Sequence, residues 1–209
     1  MESNHAPENA IDLLLASASP RRHELLAQIG LRFRVVVAAV DEAVLDGESA
    51  EDYVLRLARA KALEVFEREG GDVPVLGADT AVILDGDILC KPRDRSEAEA
   101  MLGRLSGRTH EVYSAVAVAT GPERVLDALN VTRVTFARLE PEWIASYCAT
   151  GDPMDKAGAY GVQGRAAERI SRIEGSFSGV MGLPLFETSQ LLEAVKCYSG
   201  SVSVTAGRA

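Results

Sequence analysis

Short apolar runs alternate with polar, glycine- or proline-bearing turns along this chain, and the spacing within each run predicts an element. Apart from Asp12, Ile11–Leu15 is apolar, the pattern of a buried strand, and gives way to Ser17 and Ser19. Pro20 stands where a first helical residue is favoured, with Ser19 as N-cap and Gly30 as stop, which predicts a helix over 20–29. "RFRVVVAAV" reads as the next strand and runs up to Asp41–Glu42. From Ala50 to Glu69, Val54, Leu57, Ala58, Ala62, Val65 and Phe66 recur at helical spacing, and Gly70–Gly71 closes that helix.

"VPVLGADTAVILDGDILCKP" predicts two strands around a sharp centre, with "DGD" as hairpin turn. "SEAEAMLGRLSG" predicts a helix with serine first and glycine last. Strand-like runs follow near 110–119 and 124–138, then a short helix in "PEWIASYCATG" with proline at its start. The glycine-rich stretch 156–182 carries no clear period, and "LPLFETSQLLEAV" predicts a closing helix. Strands interleaved with helices predict an α/β fold, and the hairpins favour a mixed sheet over a parallel one.

Composition narrows the class. At 209 residues the chain has room for one large domain or two small lobes sharing a core. The net charge of −9 argues against a nucleic-acid-binding surface, although a local cation cluster or a bound metal ion still suits a small polyphosphate. No apolar run approaches the ~20 residues of a membrane span. The polar start "MESNHAPENA" has no apolar signal core, so a cytoplasmic address is the expectation. Cys90, Cys148 and Cys197 form no CxxC pair and read as small packed residues; His5, His23 and His110 have no metal-ligand spacing.

Four features carry candidate chemistry. Ser17, Ser19, Arg21 and Arg22 gather at a helix N-terminus, where free N–H groups and guanidinium groups make an anion site; spacing alone equally allows a capped helix with two solvated arginines. Asp41–Glu42 and Asp79 of "GADT" are expected at strand ends, where α/β sheets place metal or catalytic groups. Hard oxygen ligands suit Mg²⁺ or Mn²⁺, while ordinary turn acids remain the alternative. Asp79 is harder to explain that way, because its surroundings are apolar and a carboxylate there needs partners. Lys61 borders the apolar stripe of its helix, and Lys91 precedes a proline; either alone also reads as a surface lysine. Neither a Walker A loop nor a GxGxxG occurs.

These residues fall within ordered motifs: "LASASPRR", "DE" after a strand, "KA" in a helix, "LGADT", "LCKP", "LSGRTHEVYSAV", "DKAGAYGVQG" and "IEGSFSGVMGLPLFE". With them the chain, over about residues 12–196, resembles the Maf family of nucleoside triphosphate pyrophosphatases. The resemblance implies an inosine-triphosphatase-like α/β fold: a mixed, strongly twisted central sheet flanked by helices, with two lobes around a cleft. It implies a single domain over 11–198; outside it, the polar start at 1–10 reads as a flexible extension and 199–209 has the composition of a disordered tail.

The activity implied is hydrolysis of the α–β phosphoanhydride with a divalent metal, Mg²⁺ or Mn²⁺, held by Glu42 and Asp79. Asp79 would be the proton acceptor, with Ser17, Glu42, Lys61 and Lys91 beside it, and Arg21, Arg22 and the lysines would clamp the phosphates. "YGVQGRAAERISRIEGSFSGVMGLPLFE" is similar to the branch acting on dTTP and UTP, in which Arg21, Thr80 and Gln163 are linked to specificity. A glutamine amide offers a donor and an acceptor, which suits the O4 and N3–H edge of uracil or thymine. A 7-methyl-GTP pyrophosphatase and a non-catalytic regulator of septum formation are the alternatives the family holds open. A homodimer is expected from the resemblance alone.

Overall fold

Strand β1 (Leu13–Ala16) is buried along its whole length, as its unbroken apolar run requires. The computed structural model describes residues 11–196, so the expected extension (1–10) and tail (199–209) lie outside the described residues. After β1 come α1 (Pro20–Gln28), β2 (Phe33–Val35), α2 (Ala50–Arg68), β3 (Val75–Leu84), β4 (Asp87–Leu89) and α3 (Arg95–Leu105). The long hairpin β5 (Thr109–Gly121) and β6 (Arg124–Phe136), then α4 (Pro141–Cys148), β7 (Ile170–Glu174), α5 (Phe177–Met181) and α6 (Leu185–Ala194) complete the chain. The mixed α/β fold read from the sequence is the one observed. Among the described residues no helix is long and apolar enough to cross a membrane.

One sheet runs in the order β2-β1-β3-β5-β6-β7, with β4 also paired to β3. β1 lies parallel to both β2 and β3, and all other pairs are antiparallel. The register along one edge of β3 determines where a site can open. β1 pairs with β3 only as far as Ala16↔Gly77, and β4 takes up the same strand only from Val82↔Leu89. Residues 78–81 lie in the gap between these two neighbours. There the chain leaving β1 and the chain leaving β4 both turn away from the sheet, and a cleft remains.

Helix α2 covers one sheet face beside this gap. Ser49 caps it by accepting the Asp52 N–H at 3.1 Å, and Glu51 and Asp52 lie in its first turn, where the helix dipole favours acids. Its apolar stripe packs with Val75, Ala81 and Ile83. Gly77 sets how closely the helix approaches. A Cβ at that position would stand 2.3 Å from the Ala58 carbonyl oxygen and 2.7 Å from the Ala62 nitrogen, so only glycine admits this contact. Helices α1 and α6 bury Leu25, Leu26 and Leu192 on the opposite face. A separate core forms farther along β3, β5 and β6, where Val82, Val112, Val134 and Phe136 pack with α3 and α4. The long strands thus run through two packed lobes.

Several local expectations need correction. β2 has three residues instead of nine, because β1 is too short to pair with more; Val36 makes one last bond to the Leu15 carbonyl, at 3.0 Å. Glu42 therefore sits on a loop rather than just after a strand. Asp79 lies inside β3 rather than at its end, because β5 continues to pair there, Asp79 with Ala115. The cap of α3 is Asp94, not a serine; it accepts the Glu97 N–H at 2.8 Å. β6 ends at Phe136 rather than 138, where the Ala137 N–H turns to the Arg169 carbonyl. The "DGD" turn is as expected, with Asp85 and Gly86 both at positive φ (55° and 86°), the geometry a tight hairpin favours. The unassigned stretch 156–182 belongs to a region with three 3₁₀ turns (Asp152–Asp155, Ala157–Ala159, Arg165–Arg169), followed by β7 and α5.

Candidate active site

The gap at β3 opens into a cavity of about 480 Å³ lined by Ser17, Arg21, Arg22, Glu42, Lys61, Asp79, Thr80, Lys91 and Gln163. Every candidate residue of the phosphate, acid and specificity sets except Asp41 reaches this one cleft. Asp41 is not among its lining; its carboxylate accepts the Ala43 N–H at 2.9 Å, as an ordinary turn acid does.

At the centre is Lys61. Gly77 lets α2 lie close on β3, so the Lys61 ammonium meets Asp79 Oδ1 at 2.8 Å and Glu42 Oε1 at 2.6 Å. Lys61 and Asp79 are both buried, whereas Glu42 comes from the loop and its side chain stays 48% exposed. Burial works to raise Glu42, but the hydrogen bond and charge of Lys61, with Lys91 and Arg22 behind, hold its carboxyl below the usual range. Tyr53 supports the loop by donating to the Glu42 backbone carbonyl at 3.1 Å. Burial pushes the Tyr53 hydroxyl up, so it remains a donor.

The two arginines separate. Arg22 is held by Nε to the Gly182 carbonyl at 2.8 Å, by Nη2 to Thr80 Oγ1 at 3.3 Å and by Nη1 to Ser17 Oγ at 3.4 Å. Burial lowers its guanidinium, and the Asp79 and Glu42 charges oppose that. Ser17 Oγ also accepts the Ser19 N–H at 3.2 Å, so the Ser17 proton remains to be given to a ligand. Ser19 stands at the N-cap, but its side chain makes no cap bond. Thr80 lies 2.9 Å from the buried hydroxyl of Ser114, which donates to the Gly179 carbonyl at 2.6 Å. Arg21 instead turns away to Asp155 Oδ2, at 3.0 Å.

Residues that sequence reasoning did not single out complete the cleft, Tyr53, Asp155, Lys156 and Tyr160, together with Cys90. Asp155 and Lys156 had one available signal, a charged pair beside the small residues of "DKAGAYG". Cys90 is exposed rather than packed as the sequence suggested, and it is no activated nucleophile, because partial desolvation still pushes its thiol up despite the neighbouring lysine. Cys148 is buried, and Cys197 lies outside the described residues. His110 is packed in the core, and His23 lies edge-on to Phe33.

Among the described residues no group of three or more His, Cys, Asp or Glu side chains is arranged to cage a metal ion. Glu42 and Asp79, converging on a single point now held by an ammonium, are the donor set of a different site. Mg²⁺ and Mn²⁺ use one or two carboxylates and take the rest of their shell from water and substrate phosphates, so the residues present fit such an ion.

Comparison with known proteins agrees with the cleft. A protein of Methylobacillus flagellatus named dTTP/UTP pyrophosphatase is 55% identical over 185 residues, covering 88% of this chain and 92% of its own. One from Escherichia coli O6:K15:H31 with the same name is 53% identical over 180 residues, covering 86% of this chain and 91% of its own. A solved nucleoside-triphosphatase/dITP/XTP pyrophosphatase of Mycobacterium abscessus covers 88% of this chain and 94% of its own at 19% identity, with a TM-score of 0.44, too loose a likeness to carry an argument. The family described as Maf-like protein matches residues 12–195. The chain belongs to the Maf-like protein family.

Proposed function

We propose that this protein hydrolyses dTTP and UTP to the nucleoside monophosphate and pyrophosphate. The observation that carries the chemistry is Lys61 between Glu42 and Asp79, in a cleft that also presents Arg22, Ser17 and Lys91. The base assignment rests on the names of the relatives that match most of the chain.

Attack on phosphorus surrounded by anionic oxygens needs charge neutralisation and alignment more than covalent catalysis. Ser17 donates its free proton to a phosphate oxygen, Arg22 offers the N–H groups not used in anchoring it, and Lys91 adds charge at the mouth. Lys61 spends two of its three protons on Glu42 and Asp79 and has a third for the substrate. Asp79 accepts the proton of the water that attacks the α-phosphorus, and the bond to the β-phosphate oxygen breaks to release pyrophosphate. A divalent ion held by Glu42 and Asp79 would supply Lewis-acid stabilisation of the phosphate charge.

At the base end, Gln163 is exposed on the cavity wall, and its amide matches the keto and N3–H edge shared by uracil and thymine. The expected outcome is similar kcat/KM for UTP and dTTP, with ATP and GTP far poorer, and loss of that preference in Gln163→Ala. Pyrophosphate release from UTP, dTTP, GTP and 7-methyl-GTP tests this directly. A preference for 7-methyl-GTP would overturn the base assignment; no release from any triphosphate with Mg²⁺ or Mn²⁺ would overturn the enzyme.

A further inference from the structure

The two ends of the cleft differ in charge, and a pair of residues outside the catalytic set makes them differ. Lys156 Nζ is bonded to the Asp152 carbonyl oxygen at 2.6 Å, Asp152 Oδ1 at 3.0 Å and Asp155 Oδ1 at 2.6 Å. An ammonium has three protons, so Lys156 has none left for a phosphate. It acts as a fixed post, braced further because Tyr147 donates to Asp152 Oδ2 at 2.8 Å. Asp155, held through one oxygen by Lys156, uses the other to hold Arg21 at 3.0 Å.

The stem of Lys156 lies over Gly161, with Cε 2.8 Å from where a Cβ would stand, and Gln163 Oε1 is 3.6 Å from the same point. Arg21, Asp155, Lys156 and Gln163 therefore form one wall. On it two cations face two anions, Asp152 and Asp155. Around Glu42 and Asp79, by contrast, three cations, Arg22, Lys61 and Lys91, meet two carboxylates. A triphosphate gains more at the second end, and the first is left with neutralised hydrogen-bond donors.

We propose that Asp155, held by Lys156, is a specificity-determining positioning residue that neutralises Arg21 and aims its free N–H groups at the exocyclic carbonyl groups of a pyrimidine. This rests on the pyrophosphatase reading above. UTP offers a carbonyl at both C2 and C4, whereas CTP presents an amino donor at C4, which an arginine donor rejects. Asp155 also repels phosphate from the base end, which fixes the direction in which the nucleotide lies.

The test measures kcat and KM for UTP, CTP and GTP, together with calorimetric titration of inorganic pyrophosphate, on wild type, Asp155→Asn, Asp155→Glu and Lys156→Met. Glu123→Gln, in the exposed β5–β6 turn, controls for loss of one acidic charge. Asp155→Asn should lower the UTP-over-CTP ratio about 10-fold, mainly through KM, since unpaired or misaimed polar groups govern such discrimination. It should also tighten pyrophosphate binding and steepen its salt dependence, because Arg21 becomes an unneutralised cation. Lys156→Met should move both readouts the same way, Asp155→Glu should restore most of them, and Glu123→Gln should move neither. Unchanged selectivity with an equal fall in kcat for every nucleotide, or pyrophosphate binding that does not tighten, overturns the role of Asp155. A wild type that releases no pyrophosphate from UTP overturns the pyrophosphatase reading instead, and the pyrophosphate titration, which needs no turnover, still decides what Asp155 does.

Discussion

Lowering the pH should destabilise this protein through His110, whose contribution can be worked out. The ring is 2% exposed, stacked on Phe136 and edge-on to Tyr160, with Nε2 2.7 Å from the Tyr160 hydroxyl. Among the described residues Nδ1 has no partner, and burial pushes the imidazole down to about 4. In the unfolded chain it returns to about 6.5. The native ring is therefore neutral while the unfolded ring takes up a proton, so stability is whole above about pH 6.5 and falls as pH drops toward 4. Linkage gives a loss of about 2 kcal/mol at pH 5 and about 3 kcal/mol below pH 4. The assay is urea unfolding of wild type and His110→Gln between pH 7.5 and 5, because carboxylates common to both cancel in the difference. Wild type should lose about 2 kcal/mol more than the variant over that range. Parallel stability curves, or a native imidazole titrating near 6.5 by NMR, would refute the reasoning. Tyr160 also lines the cleft, so the same protonation should disturb a nucleotide-site wall.

Asp79→Asn keeps the shape of the centre but removes the base and one carboxylate charge; turnover should fall roughly 10²-fold or more in a folded protein, and near-normal turnover would sink the mechanism. Lys61→Ala and Lys91→Ala should each impair hydrolysis strongly while Lys196→Ala does not, and EDTA should abolish activity that Mg²⁺ or Mn²⁺ restores; three alike lysine variants would break the phosphate assignment. Gly77→Ala should cost about 3 kcal/mol or more by overpacking α2 against β3, with activity falling further as Lys61 is pushed off Asp79; a melting temperature equal to wild type would contradict the close approach. Ser49→Ala should cost about 1 kcal/mol for its lost cap bond, and Ser19→Ala far less because it makes none; thermal melts of the two variants should rank them in that order.

Much of the site was legible in the residues themselves. A carboxylate in the apolar context of Asp79 required a partner, and Lys61, which by itself also read as a surface lysine, is that partner. Two arginines at the mouth of α1 allowed an anion site or a solvated cap, and one of them, Arg22, is bonded to Ser17 and Thr80 inside the cleft. What the chain could not show is how the adjacent arginines divide their work. Their roles depend on Gly182, Thr80 and Asp155, which lie 58 to 160 positions away and approach only in the fold. The long strand drawn after residue 32 failed for a related reason: a run of valines states a preference for extended backbone, but pairing length is set by the neighbour, and β1 ends at Ala16.

The sequence by itself determined the order of elements outside 156–182, the hairpin at Asp85–Gly86 and the presence of buried charge, because local sterics and the cost of dehydrating an ion act on a residue wherever the chain takes it. The tertiary structure decided where the sheet stays open. The gap between Ala16↔Gly77 and Val82↔Leu89 exists because two short strands share one edge of β3 without meeting, and no single stretch of sequence contains that register.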